Sequence, residues 1–151
     1  GGGAALAIAC DLRVMSQSAT FYVPEVERGM NMSWGSIPRF TALLGPARTK
    51  RLAALCEQVD ADKALAWGLA DEVVADGHAL PGAMATAEKA AKLPPTAMKM
   101  VKQDVNIAAN ALSRVAGHRD LDSFALLERS DDFQEGVESF LAGRDPRYTG
   151  N

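Results

Sequence analysis

The sequence predicts an α/β fold that ends in a purely helical region. Residues 1–92 alternate short segments rich in β-branched and aromatic residues with longer segments of helical periodicity. Residues 93–151 contain helical patterns only, and Leu93-Pro94-Pro95 marks the boundary because prolines remove backbone donors and end a helix. A length of 151 residues, 48% of them hydrophobic, is enough for one domain with a sizeable core.

The first region opens on glycines and small apolar residues. Gly1-Gly2-Gly3 precedes an apolar helical segment over Ala4–Cys10. Glycines here permit close backbone approach, and the start of a helix leaves amide N–H groups without partners. Two short strands follow, Leu12–Met15 and Thr20–Val23. A proline ends the second strand, and Glu25 stands directly after it.

Helices dominate the rest of the first region. Four helical segments are predicted, over residues 38–44, 46–57, 61–67 and 78–92. Gly45 separates the first two, since glycine ends helices readily. Asp60 is placed to cap the third helix and Gly68 to end it. Asp71–Val74 forms a short strand before the fourth helix.

The second region predicts three helices, over residues 96–110, 112–127 and about 131–142. Ser130 is an N-cap for the last of them, and Gly143 ends it. These helices are too few to bury their own apolar faces. We therefore expect them to pack on the first region or on another subunit.

Composition excludes several classes of protein. The net charge of −3 and the lack of a dense Lys/Arg stripe argue against nucleic-acid binding. No apolar run has membrane-spanning length, so no membrane partner is expected. His78 and His118 lack metal-ligand spacing, and no metal site is predicted. Cys10 and Cys56 are too few for a disulfide framework, which favours two buried thiols in a reducing, cytoplasmic compartment.

The beginning of the chain is unusual. A glycine run and an apolar helix stand at the first residues, with neither an initiator Met nor a signal peptide. A mature protein rarely begins in the middle of a packed element. We therefore expect this chain to be the C-terminal portion of a longer protein.

Five blocks, in order along nearly the whole chain, resemble the enoyl-CoA hydratase/isomerase family of the crotonase superfamily. The first is the glycine run with its apolar helix and terminal Asp11, and the second is Phe21–Gly29, with an aromatic, a Pro-Glu pair and a glycine. The remaining blocks are 43–55, 59–74 and the C-terminal pair formed by 94–95 and 133–140. No block is decisive alone, but together they are specific.

The resemblance implies a fold, a substrate class and an assembly. The expected fold is a crotonase-like spiral of ββα units followed by C-terminal helices. Residues 1–92 would form the C-terminal part of the spiral core, and residues 93–151 a helical oligomerisation region of a homotrimer or hexamer. The substrate would be an acyl-CoA thioester, so coenzyme A belongs to the substrate and no separate cofactor is expected.

The resemblance also implies two catalytic residues. Gly1 would donate its amide to the thioester oxygen, and Glu25 would act as general acid/base. Amides at a helix start stabilise the charge of an enolate, and a partly desolvated carboxylate can move a proton. The first of the two glutamates used by hydratases falls at Ala5, which favours an isomerase-like mechanism with one carboxylate. A hydratase with other water-positioning groups, a related lyase or hydrolase, and a non-catalytic acyl-CoA-binding member remain open.

The loop after Gly29 and the C-terminal helix supply the candidate binding residues. Asn31, Ser33 and Trp34 either shape the acyl pocket, where an aromatic suits a cyclic or aromatic acyl group, or only pack the loop. Phe140 matches the family aromatic that can stack on the adenine of coenzyme A. The family's nearby lysine falls at Gly143, so either Arg144 or Arg147 takes over the phosphate contact, or these charges stay solvated.

Overall fold

The computed structural model describes residues 1–111 and 113–151. Its elements are α1 (Gly2–Ala9), β1 (Val14–Ser16), β2 (Thr20–Phe21), a 3₁₀ turn (Val26–Arg28), α2 (Ser36–Ala53), β3 (Val59–Asp60), α3 (Ala61–Trp67), β4 (Glu72–Val74), α4 (Ala79–Ala91), α5 (Pro95–Ala109), α6 (Ser113–Gly117), α7 (Arg119–Leu127) and α8 (Asp131–Ala142). Within the described residues, every strand precedes α4 and only helices follow. The predicted α/β class with C-terminal helices is confirmed.

The four strands form two short ladders. β1 runs parallel to β4, with Val14 opposite Glu72, and β2 runs antiparallel to β3, with Thr20 opposite Asp60. Parallel strands need a long crossover connection. Here the connection from β1 to β4 contains β2, the 3₁₀ turn, α2 and α3. The segment that carries Glu25 is therefore held at both ends by strand pairing.

Three boundaries differ from the sequence prediction. The first strand lies at Val14–Ser16, two residues later than expected, because its pairing with β4 begins only there. The ladder of β3 was missed, since two residues are too few to show an alternating pattern. The helix predicted over 112–127 is instead α6 and α7, with a break after Gly117. Its predicted first residue, Leu112, lies outside the described residues.

The predicted helix caps are confirmed. The Asp60 side chain accepts from the Lys63 amide at 2.8 Å, and Ser130 Oγ accepts from the Phe133 amide at 3.1 Å. Gly68 and Gly143 end their helices with φ of 78° and 63°, the left-handed region that favours glycine. Gly45 breaks α2 with φ of 73° and ψ of 167°, as expected for the boundary between two helices.

The core lies in the first region. The largest fully buried hydrophobic side chains, all in residues 1–92, are Val23, Phe40, Leu52, Val59 and Leu69. In the second region, α5 has no buried residue, and Met100, Val101, Val105 and Ile107 are exposed on it. The C-terminal helix α8 does pack on the 3₁₀ turn, so this part of the second region covers the first region as expected.

A buried arginine joins α1 to the strands. Arg13 is 7% exposed, and its guanidinium donates to the carbonyls of Leu69 at 2.7 Å and Cys10 at 2.9 Å. Asp71 lies 3.0 Å from the same guanidinium and also accepts from the Arg13 amide at 2.7 Å. A buried charge needs such partners to offset its desolvation. These contacts fix the end of α1 relative to β4.

The two cysteines were both expected to be buried thiols. Cys56 is buried as expected. Cys10 is exposed, because it is the C-cap residue that follows α1 and lies beyond the last buried residue of that helix. Both thiols are free. In the part of the chain that the structure describes, no helix is both long and apolar enough to span a bilayer.

Candidate active site

Glu25 caps the 3₁₀ turn that follows β2. The amides of Arg28 and Met30 donate to the Glu25 carbonyl at 3.0 and 2.9 Å. Gly29 then takes a φ of 68°, which reverses the chain and which side chains with a Cβ adopt poorly. β2 has already ended at Phe21, and proline at position 24, which lacks an N–H, cannot resume a ladder. The turn directs the Glu25 side chain inward, where it is 14% exposed.

The Glu25 carboxylate faces the glycine run. Its Oε1 lies 3.7 Å from the Gly1 nitrogen, and a Cβ placed on Gly1 would be 3.3 Å from the same oxygen. Its Oε2 is buried and has no hydrogen-bond partner among the described residues. A buried, unpaired carboxylate oxygen is costly, and such an atom calls for a partner beyond those described. The two residues predicted to be catalytic are neighbours in space.

The amides of the glycine run differ in their partners. The Gly1 nitrogen donates to the Tyr22 carbonyl at 2.6 Å. α1 begins at Gly2, and the amides of a first helical turn have no carbonyl partner inside the helix. The oxyanion role of Gly1 stays a prediction, and the Gly2 amide, the first of α1, is a second candidate along the run.

Two tyrosines brace the turn that carries Glu25. The Tyr22 hydroxyl donates to the Glu27 carboxylate, and this hydrogen bond raises the pKa of Tyr22 to about 12. The Tyr148 hydroxyl donates to the Glu27 carbonyl at 2.5 Å, across 121 positions of sequence. Tyr148 belongs to a polar tail with no helical or strand pattern. The sequence did not predict this contact, because the contact depends on where the tail lies in the folded chain.

The turn also lies unusually close to α8. A Cβ placed on Gly136 would lie 2.3 Å from the Arg28 carbonyl oxygen, and one placed on Gly29 would lie 2.4 Å from the Asp132 carbonyl oxygen. These distances are far below van der Waals contact. Glycine at both positions lets the two backbones touch, so α8 supports the Glu25 turn from behind.

Trp34 lies beside Gly2. Its ring atoms Cζ3 and Cη2 lie 3.8 and 3.9 Å from the position of a Cβ on Gly2, yet 67% of Trp34 is exposed. Trp34 and Gly35 have φ of 58° and 62°, so two consecutive residues are left-handed. The Gly35 amide donates to Asp120 Oδ2 at 2.8 Å, and Arg39 donates to the Trp34 and Gly35 carbonyls at 3.2 and 2.9 Å.

The other two loop residues predicted to bind substrate have different surroundings. Asn31 lines a cavity of about 390 Å³ between the loop, α2 and α7, and its buried Oδ1 has no hydrogen-bond partner among the described residues. Ser33 is half-buried, and its carbonyl accepts from the Ser36 amide at 3.1 Å. Asp120 also lines the cavity. It was not predicted from the sequence, since an acidic residue in the first turn of a helix is common.

Comparison with known proteins decides the family. A family model described as enoyl-CoA hydratase/isomerase matches residues 1–151, the whole chain. The chain belongs to the enoyl-CoA hydratase/isomerase family. The predicted resemblance is therefore confirmed, and so is the crotonase-like fold class.

Individual members of the family agree with this assignment. The 1,2-epoxyphenylacetyl-CoA isomerase of Escherichia coli is 32% identical over 99% of this chain and 57% of its own length. The short-chain-enoyl-CoA hydratase of Clostridium acetobutylicum is 29% identical over 95% of this chain and 55% of its own length. The crystal structure of carnitinyl-CoA hydratase from Mycobacterium avium superposes with a TM-score of 0.92, at 32% identity, over 100% of this chain and 59% of that one. This chain thus spans little more than half the length of these relatives.

Two further positions matter for the family comparison. Ala5, where a hydratase glutamate would fall, is partly buried against the hydrophobic core. Phe140 is 58% exposed, and the Arg28 guanidinium lies 4.0 Å from the centre of its ring. One face of the aromatic predicted to meet adenine is therefore covered by an arginine of the Glu25 turn.

Arg144 is paired within the chain. Its two terminal nitrogens donate to the Glu135 carboxylate at 2.5 and 2.7 Å. Hydrogen bonds from the Arg144 side chain and the Arg147 amide lower the pKa of Glu135 to about 2. A bidentate pair of this kind occupies the guanidinium. Arg144 is thus an exposed charge whose guanidinium is already paired in this arrangement.

Proposed function

We propose that the protein moves a proton on an acyl-CoA thioester through an oxyanion-stabilised enolate, with Glu25 as the only carboxylate that carries the proton. The observation that supports this most is the buried, unpaired Oε2 of Glu25 beside the glycine run. An acyl-CoA substrate is supported by the names of the relatives, several of which are hydratases, dehydratases or isomerases of coenzyme A thioesters.

Gly2 supplies one amide of the proposed oxyanion hole. Removing a proton next to a thioester carbonyl places negative charge on the carbonyl oxygen. A preorganised N–H at a helix start stabilises that charge, because the helix dipole is positive at this end. Gly2 is proposed beside the sequence-based choice of Gly1, because its amide is the first of α1 and has no carbonyl partner inside the helix.

One carboxylate is sufficient for an isomerase. Starting from a 3-enoyl-CoA, Glu25 takes a proton from carbon 2, and the electrons spread over a dienolate. Glu25 then returns the same proton to carbon 4, and the double bond moves between carbons 2 and 3. Hydration is the second candidate, since relatives include hydratases. It requires a group that activates water, and Ala5 provides none.

Assembly is the remaining part of the proposal. We propose a homotrimer or hexamer in which residues 93–151 take part in subunit contacts. The exposed apolar side chains of α5 support it, because a helix with no buried residue gains stability by packing against a partner. A cytoplasmic location stays a prediction.

The substrate test uses the full-length protein that contains this chain. Incubation with 3-hexenoyl-CoA is expected to yield the conjugated 2-enoyl-CoA, which is detected by its ultraviolet absorbance. Crotonyl-CoA is expected to be hydrated more slowly by a factor of about 100 or more, the usual contribution of one general acid or base. Faster hydration than isomerisation would contradict the single-carboxylate mechanism. No turnover of either, together with tight binding, would favour a non-catalytic member.

Ala5→Glu is expected to raise the ratio of hydration to isomerisation by about tenfold or more, because it introduces a second acid/base at the position where the family resemblance places the first hydratase glutamate. A glutamate in the first turn of a helix is also compatible with the helix dipole. Ala9→Glu is the matched control, since Ala9 lies one turn further along α1 and is exposed. Chromatography of the two products measures the ratio. An equal rise in both variants would show that charge on α1, and not its position, is responsible.

A further inference from the structure

We infer that Asp120 is a positioning residue that holds the Trp34 ring beside Gly2 and so biases the acyl site toward flat, π-conjugated acyl groups. The inference rests on the proposed function, because Gly2 matters only if it binds the thioester oxygen. Three observations carry it: the place of the ring, the strain of the backbone that presents it, and the hydrogen bond that fixes this backbone.

The ring is placed to meet an acyl group. Its edge is 3.8 Å from the position of a Cβ on Gly2, so an acyl chain whose carbonyl oxygen reaches the Gly2 amide begins beside the indole. The exposed fraction of 67% leaves much of the indole surface uncovered. Offset stacking between aromatic groups contributes about 0.5–1.5 kcal/mol beyond burial, and a puckered saturated ring cannot stack in this way.

The backbone does not hold this position by itself. A left-handed φ of 58° at Trp34 is unfavourable for an ordinary L-residue. The turn persists because both its carbonyl groups and its amide make hydrogen bonds to other side chains. Arg39 binds the carbonyls from the following helix, which is a local contact.

Asp120 supplies the hydrogen bond that links the turn to a distant part of the chain. It lies on α7, 85 positions from Gly35, and accepts the Gly35 amide at 2.8 Å. A hydrogen bond to a charged carboxylate is stronger than one to a neutral acceptor. Without it, the turn loses its only described hydrogen bond to α7, and the indole is free to leave Gly2.

The test measures binding of two thioesters of equal carbon number, benzoyl-CoA and cyclohexanecarbonyl-CoA, to the full-length protein by isothermal titration. The parent is expected to prefer benzoyl-CoA by about two- to thirteenfold, the ratio that the stacking energy gives. Asp120→Ala is expected to reduce this preference to less than about twofold. Asp120→Asn retains an acceptor oxygen and is expected to restore most of the preference. Asp122→Ala, an exposed aspartate on the same helix, is the matched control and is expected to leave it unchanged.

A double-mutant cycle separates positioning from general damage. In a Trp34→Ala background, Asp120→Ala is expected to change the preference no further, because its effect passes through the ring. If Asp120→Ala does not fold, Asp120→Glu, which moves the carboxylate by one methylene, replaces it in the same cycle. The inference would be overturned if the preference for benzoyl-CoA survived the substitutions at Asp120. It would also be overturned if these substitutions changed the preference equally with and without Trp34.

The measurement also keeps the two proposals apart. Binding of these thioesters requires no proton transfer, so Glu25→Gln is expected to leave the preference unchanged. A parent that binds neither thioester would overturn the acyl-CoA proposal itself. A parent that binds both without any preference dependent on Asp120 would overturn only the role of Asp120.

Discussion

Glu25→Gln is expected to lower kcat for the isomerisation of 3-hexenoyl-CoA by about 10²–10⁴-fold, with little change in KM. Glutamine has nearly the same shape as glutamate but cannot accept or return a proton at neutral pH. Because Oε2 is buried and unpaired, the amide also fits the site without breaking a described hydrogen bond to that atom. Steady-state kinetics of the full-length protein provide the measurement.

Glu27→Gln is the control for this substitution. Glu27 lies in the same turn, and its side chain accepts the Tyr22 hydroxyl, which a glutamine oxygen can also do. It is expected to retain most of the parent activity. Equal kinetics of Glu25→Gln and the parent on every substrate turned over would remove Glu25 from the mechanism, whatever the family of the protein.

Gly136→Ala is expected to destabilise the protein by about 1–3 kcal/mol, although alanine in a helix interior normally adds about 1 kcal/mol. The sign reverses because the new Cβ would lie 2.3 Å from the Arg28 carbonyl oxygen and 2.9 Å from the Gly29 nitrogen. Both contacts are with backbone, which cannot rotate away. α8 or the Glu25 turn must move, so activity is expected to fall together with the melting temperature.

Gly117→Ala is the matched control for this substitution. Among the described residues, nothing lies within 4 Å of a Cβ placed on Gly117, which ends the short helix α6. It is expected to be neutral or slightly stabilising. Thermal unfolding of the two variants in parallel gives the comparison. A melting temperature of Gly136→Ala at or above that of the parent would contradict the close packing of α8.

Much of the local structure could be predicted because local interactions produce it. Asp60 and Ser130 cap helices through amides three residues away, and Gly68 and Gly143 end helices through their own φ. The Pro-Glu turn likewise follows from neighbours in sequence. β3 could not be predicted, since its two residues are a strand only by pairing with β2.

The sequence by itself determined the fold class, the family and the choice of Glu25 as the candidate acid/base. The order of the motifs and the chemistry of the side chains can be read from the residues alone. Only the tertiary structure brought the Glu25 carboxylate beside the glycine run, where a Cβ placed on Gly1 would lie 3.3 Å from Oε1. The link from Asp120 to Gly35 also needed the folded chain. These contacts join segments far apart in sequence, and neither partner has a local pattern that reveals the other. Their specificity comes from the distances and directions that packing imposes.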